Sequence, residues 1–314
     1  MAILALTVPV MAATTQLHIV KYANDGITVL NETTKTYQWL EANLPVIGDG
    51  TTHYYHQGPV FVDDPDEETE QQLRWNPDED TNVLEKDMGA VKGTNLKNIC
   101  DLVGGMNDGE TVRVKASDGL YKTFAYQNVY GYSSREGPMV ITWYCAGLAS
   151  YPGPYPDTGY TDGMRLVWFA DTSVNPWGEH VFGNFDWYEA AAPEYWYYYV
   201  SGSEQYPTTT GLSVKYISDV LIYSHDSPPL PPVAAFSGSP RSGTAPLTVT
   251  FTDSSTGTGP LSYAWDFQNN GSTDSTSQNP SYQYTTDGTY TVKLTVTNAV
   301  GTDSETKSGY ITVS

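Results

Sequence analysis

Two cysteines, Cys100 and Cys145, are the only thiols in a chain of 314 residues. Two cannot build a zinc ribbon or a disulfide framework. In an oxidising compartment they can pair; otherwise they read as two small buried hydrophobes. Basic residues are also few: 15 Lys and Arg stand against 36 Asp and Glu, a formal net charge of −21. Such a surface repels phosphate backbones and excludes nucleic acid as a partner. Beyond the first dozen residues no stretch approaches the ~18 continuous apolar residues of a membrane span. Neither a transmembrane helix in the mature chain nor a C-terminal anchor is expected. Catalytic signatures are missing too: no Gly-x-Ser-x-Gly elbow, no phosphate-binding glycine loop and no His-Glu-x-x-His pair. Acid pairs for glycoside hydrolysis can be drawn freely from 36 carboxylates, so none stands out. The expectation is a protein without catalysis.

What the chain does have is aromatic and polar. Tyr is the commonest aromatic, 25 residues against 8 Phe, while charged residues make only 16%. That mixture suits β-strands with polar outer faces rather than helical bundles. The length allows two domains, each with its own core. Residues 1–12 resemble the apolar part of a secretory signal peptide, with Val10 and Ala12 at the −3 and −1 positions of a cleavage site. The run Ser224–Val233, SHDSPPLPPV, places four prolines in five positions. Proline cannot join a sheet interior and favours extended geometry, so the run reads as a semi-rigid linker. The expected organisation is a signal-like segment 1–12, an N-terminal domain 13–223, a linker 224–232 and a C-terminal domain 233–314.

The C-terminal segment alternates with period two at Leu247–Phe251, Tyr290–Val296 and Tyr310–Val313. Gly, Pro, Asn and Asp clusters separate these runs, the pattern of an antiparallel β-sandwich. Trp265 is the expected core plug. Pro246 to Gly257, Trp265-Asp266-Phe267, Asn279-Pro280, Tyr284, Gly288 and Tyr290 to Gly301 together resemble a PKD domain, an immunoglobulin-like module of extracellular proteins common on archaeal and bacterial surfaces. The resemblance implies an extracellular or cell-surface location and a spacer or interaction role. One departure is local: the Gly-Asp-Gly that follows Trp-Asp-Phe in the family is Gln268-Asn269-Asn270-Gly271 here, which implies a longer turn. This segment holds six acids and three bases, so the remaining 30 acids and 12 bases, net −18, belong to the rest of the chain.

The N-terminal domain reads as α+β, mostly β, with one or two helices. Strands are expected at Leu17–Tyr22, Ile27–Asn31, Thr111–Ala116 and Tyr121–Tyr126, with a turn at Asp118-Gly119. Met139–Cys145 and Met164–Phe169 read as buried strands, and Tyr195–Val200 and Leu212–Tyr223 as closing ones. The apolar spacing of Thr94–Val103 predicts a helix capped by Thr94 and stopped at Gly104-Gly105. The stretch Gly93–Phe124, with Gly163-Met164-Arg165-Leu166-Val167, is similar to parts of the molybdopterin-binding domain of sulfite-oxidase-like proteins. That family's metal-binding cysteine lies in a Cys-x-Gly-Asn pattern, which occurs nowhere in this chain. The resemblance therefore implies a shared fold without molybdenum chemistry, since fold does not carry function with it.

Three constellations remain. Asp63, Asp64, Asp66, Asp78, Asp80 and Asn82 lie in an acidic run whose alternating oxygens suit Ca2+, although the glycine and terminal Glu of an EF-hand loop are lacking. The competing reading is a solvated acidic loop in which Arg74 is the only base. His53 and His56 can hold zinc only with a third ligand, and their odd spacing puts them on opposite faces of a strand. Tyr195, Trp196, Tyr197, Tyr198 and Tyr199 carry aromatics on both faces, so one row is expected to be covered and the other exposed as a partner contact. The function expected is adhesion, an envelope layer or filament assembly, with the chain itself or other surface proteins as partners. The alternatives are glycan binding on Trp177, Trp187 and Trp196, and a degenerate oxidoreductase of the molybdopterin type.

Overall fold

A computed structural model describes residues 14–146 and 159–314. The signal-like segment, with Val10 and Ala12, lies outside the described residues. The fold is mostly β, with an immunoglobulin-like sandwich at the C-terminus. It divides into two compact units, Met1–Ser227 and Pro228–Ser314.

Two five-stranded sheets build the first unit. In spatial order, one contains Val29–Thr36, Gln16–Tyr22, Ile217–Tyr223, Thr111–Ala116 and Tyr121–Ala125. The other contains Tyr160–Trp168, Met139–Ala146, Asp87–Asn95, His53–His56 and His180–Phe182. Ile19, Val112 and Val220 of the first sheet share one buried cluster with Ile141, Leu166 and Phe182 of the second. The second sheet is buried on its other face as well. Leu166 and Trp168 enter the main core, while Val167 and Phe169 join Tyr54, Val91 and Cys145 in a smaller one. This is why Met139–Cys145 and Met164–Phe169 are apolar without alternation.

Among the described residues the chain forms five short α-helices, not one or two: Tyr37–Asn43, Glu67–Trp75, Leu96–Asp101, Tyr126–Tyr130 and Asn184–Ala190. None exceeds nine residues, too few to display a repeated amphipathic period. The helix expected at Thr94 starts two residues later. Thr94 is still in a strand, paired with Ile141, and its hydroxyl donates to the Pro45 carbonyl. Asn95 caps instead, accepting the Lys97 N–H at 2.9 Å. Gly104 and Gly105 end the helix with φ of 99° and 69°, the left-handed geometry glycine tolerates. The Tyr195–Val200 strand is also shorter than expected. Tyr195 closes a 3₁₀ turn, and strand Tyr198–Ser201 forms a hairpin with Glu204–Pro207. The cysteines do not pair. Cys100 lies in the main core and Cys145 in the smaller one, with the second sheet between them.

The second unit packs Phe236–Ser239, Leu247–Asp253 and Ser281–Tyr284 against a four-stranded sheet ordered Ser242–Gly243, Thr302–Val313, Gly288–Thr297 and Ser262–Asp266. Trp265 is fully buried between them beside Phe236, Phe251 and Phe267, and its indole donates to the Ser277 carbonyl at 2.9 Å. The divergent turn is built around Asp266. Its carboxylate accepts the N–H groups of Gln268, Asn270 and Gly271 at 3.2, 3.1 and 2.8 Å. Burial pushes this carboxyl up, but those amides outweigh it and hold the group below the usual range. Asp266→Ala strips three amides of their acceptor and is expected to cost about 3 kcal/mol. In urea unfolding of the full chain, the C-terminal unit's transition should move to lower urea and the N-terminal unit's should not. Because the folded value is depressed, this contribution is present above the unfolded pKa and fades as pH falls through the folded one.

Candidate functional site

The His-Tyr-Tyr-His strand leads into the site. Its pleat places His53 and His56 on opposite faces. His53 is half-buried, with Nδ1 2.8 Å from an Asp87 carboxylate oxygen. His56 is fully buried and accepts the Trp168 N–H on Nε2 at 3.2 Å. Burial, helped by the nearby Arg165 charge, pushes its pKa down to about 3, so this imidazole is neutral.

The next residue, Gln57, is a buried hub. Its side-chain amide donates to the Asn76 side-chain oxygen and, at 3.0 Å, to the Thr81 carbonyl. Its side-chain oxygen accepts the Asn184 N–H at 2.9 Å. Its backbone carbonyl receives the N–H groups of Thr209 and Thr210 and the Thr208 hydroxyl. Asn184, also fully buried, donates to the carbonyls of Gly58 and Pro207. Four segments distant in sequence are thereby fixed together.

Three of those segments, around Gly58, Thr81 and Thr208, run on into the walls of a cleft of about 500 Å³. Phe61, Tyr197 and Tyr199 line it with 61%, 37% and 49% of their surface exposed. Asn82, Glu85, Lys86, Thr208 and Thr210 supply its polar lining. A Cβ on Gly211 would come within 1.8 Å of the Tyr197 ring, so only glycine lets that ring lie where it does. Lys122 sits over the same ring, 3.3 Å from its centroid. Trp196 and Tyr198, the alternate residues of the run, turn the other way and pack on Trp75. The hairpin is held from that side by Arg74, which is buried and donates to Glu70, to Glu204 at 2.9 Å and to the Gln205 carbonyl at 3.1 Å.

The acidic run is therefore a scaffold in part. Asp66 caps helix Glu67–Trp75 through the Thr69 N–H, and Asp64 accepts the Asp66 N–H. Asp78, Asp80 and Asn82 follow the helix's other end, and its nine residues span about 14 Å. That separation keeps the two halves of the proposed calcium set from converging. Among the described residues no three His, Cys, Asp or Glu side chains gather as a metal site. Asn82 instead donates to the Pro59 carbonyl and forms part of the cleft wall. Trp187 is 1% exposed and cannot serve as a platform, whereas Trp177 is 57% exposed.

Sequence reasoning missed Gln57, Phe61, Glu85 and Thr208, which carry no motif. It also missed a buried acid cluster. Glu79, Glu136 and Asp186 are 2%, 1% and 4% exposed. Arg135 bonds Glu79 at 2.9 Å and Asp186 at 2.7 Å. Burial and the Asp186 charge push Glu79 up. Burial pushes Glu136 up to about 8.

The family model of the PKD domain matches residues 230–313. The PKD1 domain of Vibrio anguillarum Epp is 41% identical, over 26% of this chain and 95% of that one, with a TM-score of 0.22. Its counterpart from the Vibrio cholerae metalloprotease PrtV is 38% identical over the same shares, also with a TM-score of 0.22. Through its C-terminal unit, this chain belongs to the PKD-domain family. The sequence identity carries the assignment, not the superposition. An amphioxus IgVJ-C2 molecule aligns over 66% of this chain and 91% of its own at 13% identity and a TM-score of 0.25, values that carry no weight for the unit preceding the PKD domain. Curated proteins offer no match to the chain. PKD domains occur in extracellular proteins. Among the described residues no helix is long and apolar enough to cross a membrane.

Two expectations concern the unit before the PKD domain. Gln57→Leu orphans the Asn184 N–H and the Thr81 carbonyl, while the Asn76 side-chain oxygen keeps the N–H groups of Asp80 and Thr81, and should cost about 3 kcal/mol. Denaturant unfolding measures that loss, and faster amide hydrogen exchange at 76–84 and 207–211 would report the loosened cleft. Glu79 and Glu136 have raised values in the fold. Their stabilising contribution is full below the unfolded value of 4.5 and is lost as pH rises through the folded values, towards 8 for Glu136. Glu136→Gln keeps the shape without the charge. Its melting temperature should exceed the parent's at about pH 9 and match it at about pH 4.

Proposed function

We propose that this chain is an extracellular binding protein without catalytic activity. Its N-terminal unit holds a partner in the aromatic cleft, and its PKD unit is a spacer or second contact. Adhesion to a cell envelope is the setting that suits both parts.

One observation carries this reading. The aromatic run splits into two rows with opposite fates. Trp196 and Tyr198 are covered by packing on Trp75, while Tyr197 and Tyr199 stand exposed beside Phe61. Exposed apolar surface forgoes about 25 cal/mol for each Å² left in water. Three exposed rings in one concavity support the reading of a contact surface. The PKD unit supports the extracellular setting, because PKD domains occur in extracellular proteins.

The test uses the full chain and envelope fragments of its source cells. The parent should be retained on the fragments, and the double variant Tyr197→Ala/Tyr199→Ala should be retained at least tenfold less, with an unchanged unfolding transition. Equal retention of parent and variant, or no retention of the parent, defeats the reading.

A further inference from the structure

The cleft has a neighbour. A second compartment of about 230 Å³ is lined by Asp80, Val83, Leu84 and Trp177, and it shares Asn82 and Glu85 with the first. The two therefore meet along one polar wall. Phe61, Tyr197 and Tyr199 stand in one compartment and Trp177 in the other. We infer that the paired compartments take an extended, uncharged oligosaccharide chain, with sugar rings stacked on Phe61, Tyr199 and Trp177, Tyr197 packing at their side beneath Lys122, and hydroxyls bonded to Asn82 and Glu85. This inference rests on the cleft being the binding face.

The chemistry selects this ligand over others. A pyranose ring offers a C–H face to an aromatic ring, whose own face is electron-rich. It offers hydroxyls at its rim, which bond to carboxylates and amides. The cleft has both components in alternation along its length: rings, a polar wall, then a ring. Glu85 is exposed, and no group among the described residues is bonded to its carboxylate; the Asn82 amide is held on Pro59, which leaves its side-chain oxygen free to accept. Charge excludes the competitors. The net charge outside the PKD unit is −18, and Asp80 and Glu85 of the lining outnumber its one base, Lys86, so anionic glycans and nucleic acids are disfavoured. A second copy of the chain would bring its own −21 against the same wall. A buried apolar peptide would need one continuous apolar floor, which the Asn82 and Glu85 wall interrupts.

The probes are di-, tetra- and hexasaccharides of β-1,4-linked glucose, N-acetylglucosamine and mannose and of α-1,4-linked glucose, titrated calorimetrically into the full chain. A lysine tetrapeptide serves as the charge control. At least one hexasaccharide should bind saturably, tenfold or more tighter than its disaccharide. Tyr199→Ala should abolish binding. Trp177→Ala should leave disaccharide binding in place and remove the gain with length. Ile27→Ala, exposed and outside both compartments, should change nothing. If no saccharide binds, or if the lysine peptide binds as tightly, the inference is overturned. If envelope retention still depends on Tyr197 and Tyr199 in that case, the binding reading stands and only the ligand class is wrong. If retention fails as well, both fall.

Discussion

The site depends on one buried amide. Gln57 meets water nowhere, so each of its polar atoms must find a protein partner or incur a desolvation cost of a few kcal/mol. The partners it finds lie 19, 24, 127 and about 150 residues away. A hydrophobic contact of equal size would hold those segments together without fixing their register. An amide with two donors and an acceptor fixes it, because only one arrangement satisfies all three. Asn184 repeats the device one layer on, binding Gly58, Pro207 and Thr209. The cleft walls at Pro59, Asn82 and Thr208 continue directly from this network.

Legibility in the sequence followed the range of the interactions. Period-two alternation gave most strands, since it is a property of neighbouring residues. Trp265 in its Trp-Asp-Phe setting marked the core of the C-terminal sandwich and the family to which it belongs. The two rows of Tyr195–Tyr199 could also be separated, because a pleat assigns alternate residues to opposite faces. Which row would be covered could not be read: Trp75 is over a hundred residues earlier and arrives only through the fold. Gln57, Phe61 and Thr208 were invisible for the same reason. The helices were undercounted because each is held by its caps and its neighbours rather than by its own periodicity.

The acidity illustrates how composition misleads when it is read locally. A dense run of carboxylates suggested a cation site. In the fold the run divides among a helix cap, a turn and an ion pair with Arg74, the lone base among them. The concentrated electrostatic cost lies elsewhere, at Glu79, Glu136 and Asp186, which are far apart in sequence and draw no notice there. Arg135 bonds two of those three buried groups.

The strand Ile217–Tyr223 has a consequence for load. It is the last strand before the proline-rich stretch, yet it lies in the middle of its sheet, parallel to Gln16–Tyr22 on one side and antiparallel to Thr111–Ala116 on the other. A pull between the chain leaving Tyr223 and the chain entering Gln16 would drag two parallel neighbours in opposite directions. Their hydrogen bonds would have to break together in shear, not one after another as in the peeling of an edge strand. Under such a load the first unit would yield last where its first and last sheet strands, Gln16–Tyr22 and Ile217–Tyr223, lie side by side.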